Sequence, residues 1–232
     1  MRNRMYFGEH DNAEHGVIVT RMPDIPIAEE DGEWVTIPGA DGERFISNHA
    51  LKSVPFSVPL WIPPNADINA ITAWLTGEDK LRFNDWPWFW RARVEGQINL
   101  MPCTFNDGWT AAVTFRAKPH RYIWPETEQF VIVNSGIFID GRGTAEARPL
   151  IEVAGYGDVT VMIGSSTIMI DGMANAITID CEAKIAYSGD TLKTDQVAIV
   201  DAIWPTLSPE RTMVSWTGNV TKIQITPRWR NR

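Results

Sequence analysis

The alternation of apolar and polar positions is sharpest between Asp67 and Lys118, where it predicts one helix followed by a three-strand meander. Asp67 is a good N-cap, because its carboxylate can accept from the first free backbone N–H groups. Ile68, Ile71, Trp74 and Leu75 then share one helical face. Gly77 supplies a left-handed stop, so the helix is expected over residues 67–76. Trp88, Trp90, Ala92 and Val94 alternate with Phe89, Arg91, Arg93 and Glu95, the period of a strand with one buried face. Ile98 and Leu100 continue the pattern on a second strand, and residues 109–118 make a third. Ile71, Trp74, Leu75, Trp88, Trp90, Val94, Val113 and Phe115 are the expected core, a helix stripe buried on a sheet face.

Upstream, short strands are expected at Met5–Phe7, Val17–Arg21 and Trp34–Ile37, and an extended segment at His49–Leu60. Pro55 and Pro59 suggest an edge position for the last of these. Between the latter two, Pro38-Gly39-Ala40-Asp41-Gly42 is strong turn chemistry. Pro119 and Pro125, with Tyr122, Ile123 and Trp124, close a first domain over residues 1–125. Residues 126–219 read as a β-sandwich, with short apolar runs between Gly, Asp and Ser turns. Gly155-Tyr156-Gly157-Asp158 and Gly164-Ser165-Ser166 look like hairpin turns. In residues 220–232, Ile223, Ile225 and Trp229 alternate with polar positions, so a terminal strand and tail are expected there.

Composition narrows the function. A length of 232 residues with 44% apolar content and 11 Trp supports a substantial core in a mainly β chain. The net charge of −8 argues against a general nucleic-acid binder, which needs a cationic face to displace counterions. The start, MRNRMYFGEHD, turns polar at once, so no export signal is expected. No apolar run approaches the ~20 residues of a membrane span, so no membrane insertion is expected. Cys103 and Cys181 lie far apart in sequence and read as two free thiols or one disulfide.

Candidate chemistry is sparse. His10, His15, His49 and His120 show no metal-ligand spacing, and no HExxH or CxxC occurs. Glu9, His10, Asp11, Glu14 and His15 cluster, as a solvated turn or a cation site. Asp85 with Glu95, or Asp171 with Asp180, are the carboxylate pairs that acid/base catalysis would need, but nothing in the sequence puts them in a cleft. Asn219-Val220-Thr221 fits a glycosylation sequon, and Arg228, Arg230 and Arg232 form a short basic tail. No catalytic, cofactor or metal site is assigned, and no enzyme activity is expected.

The aromatic content points elsewhere. Residues 1–125 hold Trp34, Trp61, Trp74, Trp86, Trp88, Trp90, Trp109 and Trp124, more than a core of ~120 residues comfortably buries. Trp and Arg are enriched at interfaces, so Trp34, Trp61, Trp86, Phe89, Arg91 and Trp124 are the candidate interface residues. Extended segments broken by proline leave strand edges that a neighbouring subunit could cover.

Several ordered segments carry a resemblance. They are Gly16-Val17-Ile18-Val19; the turn Ile37-Pro38-Gly39-Ala40-Asp41-Gly42; Trp74-Leu75 at the end of the helix; Leu81-Arg82-Phe83-Asn84-Asp85; and the strand Trp88–Val94. After these come Val113-Thr114-Phe115-Arg116-Ala117-Lys118-Pro119, Ala147-Arg148-Pro149-Leu150-Ile151-Glu152-Val153-Ala154-Gly155, Trp204-Pro205-Thr206-Leu207, and Val220–Ile225 with Pro227-Arg228-Trp229-Arg230. Their order over nearly the whole chain resembles the distal tail (Dit) proteins of long-tailed, siphovirus-type bacteriophages. The resemblance implies a ring-forming N-terminal β domain with one helix, and a galectin-like C-terminal β-sandwich facing outward. It also implies a homo-hexameric ring at the distal end of the virion tail, made in the bacterial host cytoplasm. Its partners would be the tail tube protein on one side and tail-associated, tail-fibre or receptor-binding proteins on the other. Genome DNA would pass through the ring without sequence-specific contact, which suits an acidic chain. By the same analogy the terminal segment, residues 220–232, is expected to return to the N-terminal domain.

Two departures stand out. Ser208-Pro209-Glu210-Arg211 replaces the family's frequent Pro-Gly-x-Asn turn, and the second domain has no room for an inserted carbohydrate-binding or arm module. The resemblance therefore gives this chain no receptor-binding role of its own. A carbohydrate-binding β-sandwich module, stacking sugars on Trp, is the alternative reading, and a β-sandwich hydrolase is a third.

Overall fold

The computed structural model describes residues 3–104 and 107–232. The chain forms two compact units, one of residues up to Arg121 together with Arg232, the other Tyr122–Asn231. The division falls four residues before the boundary read from the sequence.

The first unit contains β1 (Met5–Phe7), β2 (His10–Asp11), β3 (Ile18–Val19), β4 (Glu30–Thr36), β5 (Glu43–Leu51) and β6 (Val54–Ile62). The helix α1 (Ile68–Trp74), β7 (Glu78–Phe83), β8 (Trp88–Val94), β9 (Met101–Pro102) and β10 (Trp109–Ile123) complete it. Its main sheet runs β2-β1-β7-β8-β10-β6-β3, with β9 also on β10. Asp67 caps α1 by accepting from the backbone N–H of Asn69 at 2.9 Å and of Ala70 at 3.1 Å. Ile71, Trp74 and Leu75 of the helix pack with Trp90, Ala92, Val113 and Phe115 in one apolar cluster. The buried Trp74 indole donates to the Phe7 carbonyl at 3.1 Å, so the side chain is satisfied at both its apolar and polar ends.

Several expectations are corrected here. The strand foreseen at Ile98–Leu100 is a loop, and only Met101–Pro102 pairs, with Trp109–Thr110. The segment His49–Leu60 is two strands. β5 turns back on β4, while β6 pairs with β10 from Val54 to Ile62. Pro55 and Pro59 fit there because β3 covers β6 only at Leu60 and Trp61. β8 has apolar groups on both faces: Trp90 is buried in the cluster, and Phe89 is fully buried on the other side. Lys80 lies over the Phe89 ring, its ammonium 5.1 Å from the centroid, and its stem shields the ring from water.

The second unit contains β11 (Phe130–Ile132), β12 (Ile137–Asp140), β13 (Leu150–Ile163), β14 (Ser166–Met173) and β15 (Ala176–Asp180). β16 (Ile185–Ser188), β17 (Thr191–Leu192), β18 (Val197–Ile199), β19 (Arg211–Thr226) and β20 (Arg230–Asn231) follow. Its architecture rests on two long antiparallel partners, β13 and β19. Their first-paired halves, Leu150–Ala154 and Lys222–Thr226, extend into β15 and β11; their other halves extend into β14 and β12. The register shifts between these halves, at Ala154/Gly155 and Tyr156/Thr160, bend the ladder so that the same two strands serve both layers of a sandwich.

The expected hairpin turn at Gly155–Asp158 is therefore a bulge within a continuing strand. Gly157 takes a φ of +74°, and a Cβ on Gly155 would stand 2.2 Å from the Asn219 carbonyl oxygen. The turn at Gly164-Ser165 does close a hairpin, Ile163 facing Ser166. Between the layers lie Ile151, Val153, Val161, Ile163, Ile168, Ile170, Ile223 and Ile225.

The terminal segment divides between the two units: residues 220–226 are the second half of β19, residues 227–231 also belong to the second unit, and Arg232 groups with the first, its carbonyl accepting from Arg121 at 2.7 Å. The Ile123 N–H donates to the Trp229 carbonyl at 2.9 Å, and the Trp229 indole donates to Glu128 at 2.6 Å. The Arg228 guanidinium forms two hydrogen bonds to the Asp180 carboxylate, at 2.8 and 3.0 Å.

Burial alone would raise the Asp180 carboxyl, but Arg228 and the N–H groups of Ala183 and Glu182 outweigh it and hold the group below its usual range. A carboxyl lowered on folding contributes stability in full above its unfolded value and loses it as pH falls through the folded one. Acidification below the ordinary aspartate value of 3.8 should therefore cost the second unit more stability than it costs an Asp180→Asn variant. Denaturant midpoints of the two proteins across that window check this; identical slopes would contradict it.

Candidate assembly interface

Between Met22 and Ser53 the chain leaves the main sheet and forms a separate two-stranded ribbon, β4 on β5. The turn chemistry at Pro38–Gly42 closes it, with Gly39 and Gly42 at φ +83° and +82°. Trp34 faces Phe45 across the ribbon, their rings 5.2 Å apart, and Val35 and Ile46 lie on the opposite side. The bulge at Gly32 lets Phe45 lie close over the backbone; a Cβ there would stand 2.7 Å from its ring. Both sides of the ribbon meet water. Trp34 is 65% exposed, Ile27 in the segment leading to β4 is 82% exposed, and Ile25, Ile37 and Ile46 are exposed as well. A two-stranded hairpin is marginal alone in water, so one carrying this much apolar surface reads as an arm that another surface covers.

The arm is strongly acidic. Residues 25–52 carry Glu29, Glu30, Asp31, Glu33, Asp41 and Glu43 against Arg44 and Lys52. Lys52 is itself paired with Glu29 at 3.1 Å.

A groove opens beside α1 in the same unit. It encloses about 460 Å³ and is walled by Ile68, Ile71, Thr72 and Leu75 of the helix, by Val94, and by Ile98 and Leu100 of the loop. Beyond Arg93, Val94 and Gly96 it continues into a second hollow bearing Arg91, Arg93, Arg116 and Lys118 with Glu78 and Glu95. Arg116 donates to Glu95 through Nε at 2.9 Å and Nη2 at 2.6 Å, and Lys118 sits 3.3 Å from Glu78. The Glu95 hydrogen bond and charge raise the Arg116 guanidinium further. Among the described residues, exposed Arg93 makes no ion pair.

The six residues chosen from the sequence do not converge. Trp34 lies on the arm and Arg91 beside the groove. Trp61 is half-buried, its indole donating to the Asp107 carbonyl at 3.1 Å. Trp86 is half-buried against Trp88, with ring centroids 4.4 Å apart. Phe89 is fully buried and cannot meet another chain, a correction that follows from its cover by Lys80. Trp124 belongs to the second unit and is 39% exposed. Of the expected core, Trp88 and Val94 are only partly buried, and the other six are buried.

Ile25, Ile27, Phe45 and Ile46 were not singled out. Two alternating runs flanking one strong turn were the signal for the ribbon that carries the last two.

The candidate acid/base and cation-binding groups are engaged elsewhere. Asp180 is committed to Arg228. His10 pairs with Glu14 at 2.7 Å, while His15 stacks on Trp74 with ring centroids 4.8 Å apart. Among the described residues no three His, Cys, Asp or Glu side chains gather as a metal ion requires, and no helix is long and apolar enough to cross a membrane. Cys103 and Cys181 are free thiols; burial pushes Cys181 up to about 12.

No protein-family model matches the sequence, and no curated protein matches it. The fold does match. It is a two-unit, mainly β fold of the distal tail (Dit) class. The SPP1 Dit protein, described as a paradigm of the hub adsorption apparatus in phages infecting Gram-positive bacteria, superposes with a TM-score of 0.73 at 13% identity, covering 98% of this chain and 99% of that one. A chain of the phage p2 baseplate in its activated conformation with Ca superposes with a TM-score of 0.54 at 8% identity, covering 100% and 99%. The corresponding Sr form gives 0.52 at 8% identity, covering 98% and 99%.

Proposed function

We propose that this chain is a structural adaptor of a bacteriophage tail tip, a closed ring of six copies joining the tail tube to tail-associated and receptor-binding proteins. The observation that carries the reading is the exposed apolar arm on the same unit as an uncovered apolar groove, in a chain with the fold of a hub protein. One patch meeting a different patch on the next copy is a head-to-tail contact, which closes into a ring when the rotation permits. The first unit supplies that contact, and the second stays outside it. The number six rests on the resemblance. The chain acts in the virion and has no catalytic task.

The sugar-binding alternative is the weaker one. Trp204, Trp216 and Trp229 pack on the second unit's core, which removes most of the stacking surface that reading relies on.

Electron microscopy of the concentrated protein, and of the tail tip, tests the proposal. Rings built from the first units are expected. Rings held together by the second units, with the first units splayed outward, would overturn it.

A further inference from the structure

We infer that the acidic arm of one copy seats in the helix-side groove of the next, with Trp34 as the apolar anchor and Arg93 on the cationic rim. The inference rests on the ring reading and names the contact that would close it.

Three observations on different parts of the chain converge. The groove beside α1 is apolar and open, and among the described residues no arm residue of its own chain lines it. The arm exposes an indole and Ile46 on a ribbon too thin to hide them, with Ile25, Ile27 and Ile37 exposed beside it. The charges complement each other: six carboxylates against two cations on the arm, four cations against two carboxylates at the hollow that continues the groove. On a chain of net charge −8, a cation-rich hollow beside an apolar groove is selective for an acidic ligand with an apolar tip, and the arm is that ligand. A buried aromatic anchor inside a charged rim is the usual anatomy of a tight contact.

The occupant is therefore a second copy of this chain. Thr36, two residues from Trp34 on the same side of the ribbon, and Thr72, on the groove wall, are both exposed and mark the two surfaces.

The test uses the full chain with Cys103→Ser, Thr36→Cys and Thr72→Cys, concentrated until rings are seen by electron microscopy and then oxidised. A ladder of disulfide-linked chains in denaturing gels, absent from either single-cysteine protein, is the expected result. Rings without a ladder, or a disulfide closed within one chain, would overturn the inference and leave the ring standing. No rings at any concentration or on tails would remove the reading beneath it. In parallel, Trp34→Ala should raise the concentration needed for rings by roughly tenfold or more while leaving the thermal midpoint of the dilute chain unchanged. An unchanged ring threshold would also overturn it.

Discussion

Trp90→Ala should lower the unfolding free energy of the first unit by about 3–5 kcal/mol, the range for deleting a large core aromatic. Trp90 is 1% exposed and sits where β8 meets the helix side of the sheet. Its ring lies 5.0 Å from Phe56 and 4.7 Å from Trp88, the latter edge-to-face. Phe56 in turn lies 6.1 Å from Phe115, which lies 5.5 Å from Phe7. Alanine would leave a void among rings too large to slide into it, so little of the loss would be recovered. Neighbouring Trp88 is only half-buried, and Trp88→Ala should cost clearly less. Thermal and denaturant melts of the two variants provide the comparison. A Trp90→Ala melt matching the parent would show that this side of β8 is not core.

Arg228→Ala should destabilise the second unit by a similar amount, about 3–5 kcal/mol, because it strands a carboxylate inside the fold. The Arg228 and Asp180 side chains are 15% and 17% exposed, and Glu182 lies 3.8 Å from the same guanidinium. Arg228 also holds a φ of +55°, a left-handed backbone that costs a non-glycine residue about 1–2 kcal/mol. Two further variants separate the contributions. Arg228→Gly removes the pair together with the backbone strain and should be less damaging than Arg228→Ala. Adding Asp180→Ala to Arg228→Ala should recover part of the loss, since the Asp180 carboxylate is then no longer buried without its partner. Denaturant midpoints of these proteins and of Asp180→Ala alone measure each step, and strict additivity of the two alanine substitutions would refute the coupling.

How far the sequence could be read depends on the range of the cause. The Asp67 cap, the stripe Ile71, Trp74, Leu75 and the hairpin at Gly164 are set by neighbours within a few residues, and all were legible. The two strands Leu150–Ile163 and Arg211–Thr226 were each read as two, because Gly155, Gly157 and Gly218 look like turn residues until a long partner strand is placed beside them. Gly218, at φ +94°, lies against Asp158 and Val159 of that partner. Phe89 is an interface candidate in the sequence because alternation speaks only of which side a residue faces. The long stem of Lys80, which decides whether water reaches that side, comes from another strand. The interface candidates are mostly tryptophans, picked out by residue type. Exposure follows from where the ribbon leaves the sheet, and that singles out Trp34 with Ile25 and Ile27.

The long strands β13 and β19 have a mechanical meaning. In a sandwich whose layers are separate sheets, the layers are joined by side-chain packing and a few loops, and a sideways pull can slide one over the other. Here both layers hang from the same two backbones, which cross from one to the other through the bulges at residues 154–160 and 217–220. A load applied to β14 or β12 is carried along covalent chain into the layer of β15 and β11. The layers therefore yield together rather than in sequence.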